Sequence, residues 1–191
     1  MNKLILLFTV LYSFTIDAKQ VKGLVVIDGK SQEVYLEVPY SEKDKLLYDN
    51  LCDELEVYDA DGKTYLPKPS KISRIEFTDE EYGNLVLVAI NKKGQNYPVG
   101  HYYLTIEEGE ILLLRYVKIM NAGDNGSNYG PSNHFLYSKE IGLIRVNGFN
   151  FKKKVLKNLK TCKKLNKMLS KRDYRLSEMK NIIKVYNQSC I

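Results

Sequence analysis

Apolar and polar positions change their period twice along this chain. Residues 4–16 form one unbroken apolar stretch of 13 residues behind Lys3. From residue 23 to about residue 146, short β-branched and aromatic runs alternate with turn residues. Residues 33–38 show the pattern most clearly, with Val34, Leu36 and Val38 on one side of a strand and Glu33, Tyr35 and Glu37 on the other. Further strands are predicted over 23–27, 54–58, 63–66, 72–77, 85–90, 97–106, 111–119, 135–138 and 143–146. Asp28-Gly29 and the 59–62 segment read as hairpin turns, and Pro67 and Pro69 end the second hairpin. From residue 149 the period becomes helical. Val155, Leu156, Leu159, Leu165, Met168 and Leu169 recur on one stripe, and Leu176, Met179, Ile182, Ile183 and Tyr186 on a second. Residues 170–175 separate the two stripes, and Thr161 offers a fresh cap near Cys162.

Two stretches interrupt the strand pattern. Residues 41–51 predict one short helix, with Ser41 as cap and Asp44 three positions on. Residues 121–134 hold three Gly, four Asn and a Pro, and predict a long loop rather than a strand. The predicted fold is α+β: an antiparallel β-sandwich or half-barrel followed by a C-terminal appendage of two or three helices.

The N-terminal pattern changes the picture from architecture to address. A positive residue, an apolar stretch and Ile16 and Ala18 before a cleavage point are the layout of a secretory signal peptide over residues 1–18. Asp17 and Lys19 keep the stretch short of the ~20 apolar residues that a membrane span needs. The expected organisation is therefore a signal peptide (1–18), a β-rich domain (19–148) and a basic helical appendage (149–191), in a protein exported to the periplasm, cell surface or medium. Export permits disulfides. Cys162 and Cys190 share the C-terminal segment and are the favoured pair, with Cys52 left as a free thiol; three free thiols are the alternative.

Charge divides the chain along the same line. The whole sequence carries +6, yet residues 149–191 hold 13 Lys and Arg against Asp173 and Glu178, a net of +11, which leaves −5 on residues 19–148. The basic tail has three readings: a solvated outer face, a patch for an anionic partner such as lipid headgroups or a polyanionic glycan, and nucleic acid, which export argues against. The lysines of the first helix spread around its polar arc, as a solvated face would place them.

The end of the chain, Phe151-Lys-Lys-Lys-Val155-Leu156, Thr161-Cys162-Lys-Lys-Leu165 and Tyr186-Asn187-Gln188-Ser189-Cys190, resembles the tail of exported β-rich proteins of Bacteroidetes-type bacteria. Those proteins end in a Cys-containing helical segment with a Tyr-Asn-x-x-Cys-like motif. Thr161 stands where Asp is usual there. The resemblance implies export and pairing of Cys162 with Cys190, and it implies no activity.

Candidate chemistry is sparse. Three Cys, two His and no Trp leave little for metal or nucleophile chemistry. There is no G-x-S-x-G, H-E-x-x-H or P-loop motif. Residues 59–62 open like a calcium loop but lack the later acidic ligands, so they read as a turn. No metal or cofactor is expected. The expected function is a non-enzymatic binding or envelope-associated module whose partner is an envelope protein, a glycan or an anionic lipid surface. The expected contact residues are Lys153, Lys157, Lys160 and Lys164 on the basic helices, Tyr102 and Tyr103 on an aromatic face, and Tyr129 and His134 in the long loop. No transmembrane span is expected after cleavage. The rival is a small hydrolase using His101 or His134 with a carboxylate such as Asp124.

Overall fold

A computed structural model describes residues 17–41, 43–58, 62–65, 67–90, 100–117, 119–120, 128–129, 133–160 and 162–190. The expected signal peptide lies outside the described residues except for Asp17 and Ala18, as do residues 59–61 of the second expected turn and 121–127 of the long loop, Asp124 among them.

Twelve strands precede three of the four helices. β1 (Asp17–Ile27) and β2 (Lys30–Tyr40) form a long hairpin. Its turn places Asp28 at φ 50° and Gly29 at φ 78°. Two successive positive values match the twist of the flanking strands, which is why Asp-Gly suits this turn. α1 (Leu51–Glu54) follows, then β3 (Glu56–Tyr58), β4 (Thr64–Tyr65), β5 (Ile72–Asp79) and β6 (Gly83–Ile90). β7 (His101–Glu107), β8 (Leu112–Tyr116), β9 (Ile119–Met120), β10 (Asn128–Tyr129), β11 (Asn133–Ser138) and β12 (Gly142–Val146) complete the β region. Ten of these strands join one antiparallel sheet in the order β12-β11-β8-β7-β6-β5-β1-β2-β3-β4, and β9 pairs with β10 apart from it. The appendage is α2 (Phe151–Asn158), α3 (Lys163–Met168) and α4 (Leu176–Ser189). The fold is α+β, as the two periods predict. None of the described helices is long and apolar enough to cross a membrane.

Strand register sorts the core into two faces, because successive side chains alternate. On one face Val25, Leu36, Val38, Ile75, Phe77, Leu87, Tyr102 and Leu104 pack with Leu46, Leu51 and Leu55 from the segment around α1. Farther along that face, Leu113, Leu136 and Val146 meet the apolar stripes of all three C-terminal helices: Phe151 and Val155, Leu165, then Met179, Ile182, Ile183 and Tyr186. The opposite face holds Val86, Val88, Ile90, Tyr103, Leu114, Tyr116, Phe135 and Leu143.

Two expectations are corrected. Residues 41–51 do not form one helix. Asp44 takes φ 53°, the Ser41 N–H donates to the Lys45 carbonyl at 2.8 Å, and Leu46 forms an isolated bridge with Tyr40. The tight reversal buries Leu46 and Leu51 together, which a continuous helix through Asp44 would not do. The long loop also contains strand: Asn128–Tyr129 pairs with β9, and its last two residues, Asn133 and His134, open β11. Cross-strand pairing there overrides the poor strand propensity of asparagine.

The appendage is fastened at two points. The Cys162–Cys190 disulfide, with Cα atoms 5.5 Å apart, joins the start of α3 to the end of α4. Asn187 of α4 clips the helix to the β7–β8 turn. Its Nδ2 donates to the Ile111 carbonyl at 2.9 Å and to the Glu108 carbonyl at 3.1 Å, and its Oδ1 accepts from the Ile111 N–H at 3.0 Å. Gly109 permits this approach, because a Cβ there would lie 2.2 Å from the Asn187 amide.

Candidate functional site

The turn leading into α2 creates an unusual surface. The Asn147 N–H donates to Asn150 Oδ1 at 2.8 Å, and the Asn150 N–H donates back to Asn147 Oδ1 at 2.9 Å. This reciprocal pair fixes the turn and starts the helix. It leaves Phe149 outside the core at 80% exposure, the most exposed large apolar residue described. Leu156, seven positions on, is 46% exposed on the same flank. The buried flank of α2 carries Phe151 and Val155 instead.

Phe149 and Leu156 line an open cleft of about 640 Å³ together with Lys152, Lys153, Lys157, Ser170, Lys171 and Arg172. The second wall, residues 170–172, approaches because residue 148 is glycine. A Cβ at Gly148 would lie 2.1 Å from Asp173 Oδ1 and 2.7 Å from the Tyr174 carbonyl oxygen. The cleft is thus apolar at two positions and cationic at five.

Most of that charge is uncompensated. Lys171 pairs with Glu178, whose carboxyl is held below its ordinary range by Lys171 and by the Arg175 N–H. Among the described residues, no carboxylate pairs with Lys152, Lys153, Lys157 or Arg172. The first turn of α2 holds Lys152, Lys153 and Lys154 and no acidic residue. A helix macrodipole favours the opposite arrangement, so these positive charges oppose the local backbone field. A helix optimised only for stability would carry carboxylates there.

The expected contact residues separate in the fold. Lys153 and Lys157 line the cleft; Lys160 and Lys164 are exposed but lie outside it. Tyr102 and Tyr103 present no contact surface. Tyr102 is buried and donates to the Ile72 carbonyl at 2.9 Å, and Tyr103, fully enclosed, packs edge-on against Phe135 with ring centroids 5.4 Å apart. The Tyr129 side chain lies outside the described residues. His134 belongs to β11 rather than to a loop, opposite Arg115 of β8. Burial, then the nearby Arg115 charge, pushes its pKa below the ordinary histidine value. The favoured disulfide is present and Cys52 is the remaining thiol. Phe149, Leu156, Lys152, Lys171 and Arg172 were not anticipated as contact residues. Leu156 was assigned to the apolar stripe, and the structure corrects that. The available signal was an apolar residue, Phe149, set between two asparagines that favour a turn and followed by three lysines.

The other chemically suggestive cluster lies at α1. A cleft of about 160 Å³ is lined in part by Cys52, Asp53 and His101. His101 Nδ1 stands 4.0 Å from Asp53 Oδ1, beyond hydrogen-bond range. Burial pushes the Cys52 thiol up to about 12, which keeps it protonated and weakly nucleophilic. His101 also packs edge-on to the buried Tyr116, ring centroids 5.6 Å apart. Among the described residues, no three His, Cys, Asp or Glu side chains converge as metal ligands. Comparison with protein-family models, curated proteins and solved structures finds no match for this chain.

Proposed function

We propose that this protein is an exported, non-catalytic binding module of the cell envelope, and that the basic cleft on its C-terminal appendage is the contact surface. One observation carries the reading: Phe149 and Leu156 stand exposed between cations, four of which have no carboxylate partner among the described residues. The apolar stretch behind Lys3 and the Cys162–Cys190 bond support an oxidising destination. The partner is anionic, because clustered Lys and Arg repel one another until an opposing charge arrives.

The test is retention of the native protein in envelope fractions against the Lys153→Glu/Lys157→Glu variant. The variant is expected to fold normally, since both side chains are exposed, and to be released into the soluble fraction at lower salt than the native protein. Equal retention of the two would remove the cleft from consideration.

The His101–Asp53 approach favours a second reading, a small hydrolase. It requires turnover of a simple chromogenic ester that disappears in both His101→Ala and Asp53→Asn. On the leading reading neither the native chain nor the variants turn the ester over.

A further inference from the structure

Resting on that reading of the basic cleft, we infer that its partner is the surface of an anionic lipid bilayer, with the Phe149 ring and the Leu156 side chain entering the acyl region while Lys152, Lys153, Lys157 and Arg172 engage headgroups. The juxtaposition of those six side chains around one open cleft carries the inference.

Three features favour a bilayer over a soluble polyanion. The apolar members are Phe and Leu, with no hydroxyl, amide or indole N–H to offer a sugar ring; hydrocarbon is what they match. Leu156 projects from the outer flank of α2, whose inner flank is anchored in the core by Phe151 and Val155, and Phe149 is held in the preceding turn by the reciprocal Asn147–Asn150 bonds, so neither side chain turns inward without unpacking that segment. Lys152, Lys153 and Lys157 of α2 and Arg172 of the facing wall line the same cleft, and long Lys stems can rest along an apolar boundary with their ammonium groups at headgroup level. Apolar residues bracketed by Lys and Arg on one side of a helix are the arrangement of an interfacial helix. Here the helix is too short to bind alone, and the folded body presents it.

Charge complementarity sets the orientation. The body carries −5 and the appendage +11, so an anionic surface attracts one end of the molecule and repels the other. Each cation near such a surface contributes roughly fivefold in affinity, and burying a phenyl ring contributes on the order of tenfold or more.

The chain contains no Trp, so Phe149→Trp supplies a single indole without background. Phe149 is largely exposed, and the exchange leaves the core untouched. The exported protein, purified from the envelope after signal cleavage, is mixed with vesicles of phosphatidylcholine alone, with vesicles of equal parts phosphatidylcholine and phosphatidylglycerol, and with heparin as a lipid-free polyanion. The expected result is a blue shift with the anionic vesicles alone, quenched by lipids brominated in their acyl chains. Phe149→Ser is expected to weaken vesicle binding about tenfold with heparin binding unchanged. Lys153→Glu/Lys157→Glu is expected to weaken both by at least about tenfold. Binding to heparin with the indole still water-exposed on anionic vesicles would overturn the bilayer inference and leave the basic-cleft reading standing. Binding to neither anionic surface would overturn both.

Discussion

The β-rich body and the helical appendage differ in where they put their aromatic side chains. In the body, Tyr102 and Tyr103, which the sequence offers as a contact face, are drawn inside with other tyrosines. Tyr103 is fully enclosed, Tyr116 is buried beside it, and Tyr40 donates its hydroxyl to Asp79 at 2.6 Å in a buried pair. In the appendage, a phenylalanine with no polar atom to satisfy is left in water. A phenol inside the sheet is stable where its hydroxyl finds an acceptor, as Tyr40 and Tyr102 do; a phenyl ring outside has no comparable compensation within this chain. Burial alone therefore does not mark where the chain meets another molecule. The mismatch between a side chain's chemistry and its surroundings does, and among the described residues it is greatest at Phe149.

The largest expected difference between the two regions comes from removing the clasp. Replacing Cys162 and Cys190 by Ala should lower stability by about 3–4 kcal/mol, from the unfolded-state freedom regained over a separation of 28 residues. Hydrogen exchange should then rise first in α3 and α4, with β1, β2 and β5 least affected. Equal loss of protection across the sheet would show that the two regions form one cooperative unit.

Next comes the asparagine clip. Asn187→Ala should cost about 2–3 kcal/mol in a urea titration, because it deletes three hydrogen bonds and leaves the Ile111 N–H without its acceptor. Gly109→Ala should fail in the same direction by pushing the amide away.

A smaller contrast separates neighbours on one helix. Val155→Ala should cost about 2 kcal/mol, since its side chain is wholly enclosed, whereas Leu156→Ala should shift the melting midpoint little. Comparable losses at both positions would mean that Leu156 packs in solution and that the cleft is not open.

The smallest effect is tied to pH. Burial raises the pKa of Asp79, but the Tyr40 hydroxyl and the N–H groups of Tyr82 and Glu81 outweigh it and hold the carboxyl below its ordinary value. A depressed carboxylate contributes stability above its unfolded pKa of about 3.9 and loses it as pH falls through the folded value. Tyr40→Phe should therefore cost about 1 kcal/mol near neutrality. The difference from the native chain should shrink in acid, as measured by denaturant melts across that range.

Much of this architecture was legible because alternation and turn chemistry agreed. Val34, Leu36 and Val38 share a face as their spacing requires, and Asp28-Gly29 makes the turn that its residues favour. The segment 41–51 misled because helical propensity ignores tertiary demand. Leu46 and Leu51 must reach the same core, and a reversal at Asp44 brings them there. The cleft was half legible. Lys153 and Lys157 were anticipated from charge, but periodicity assigns every apolar residue of a helix to its buried stripe, so Leu156 was placed inside. Phe149 lies in the turn before the helix, where no period applies. The pairing of residues 148–149 with 170–174 depends on the absence of a Cβ at Gly148, a contact between chain segments that no local pattern encodes.

The disulfide also sets how load travels. Cys162 and Cys190 close a covalent ring that contains α3 and α4, while α2 lies outside it. Tension applied beyond Cys190 crosses the sulfur bridge to Cys162 and bypasses everything between. α3 and α4 are mechanically silent, and the pull is delivered to α2, the helix that carries the cationic flank. A protease cut within 170–172 would likewise separate nothing: both halves stay linked, and the product differs from the intact chain by the mass of one water until the bridge is reduced.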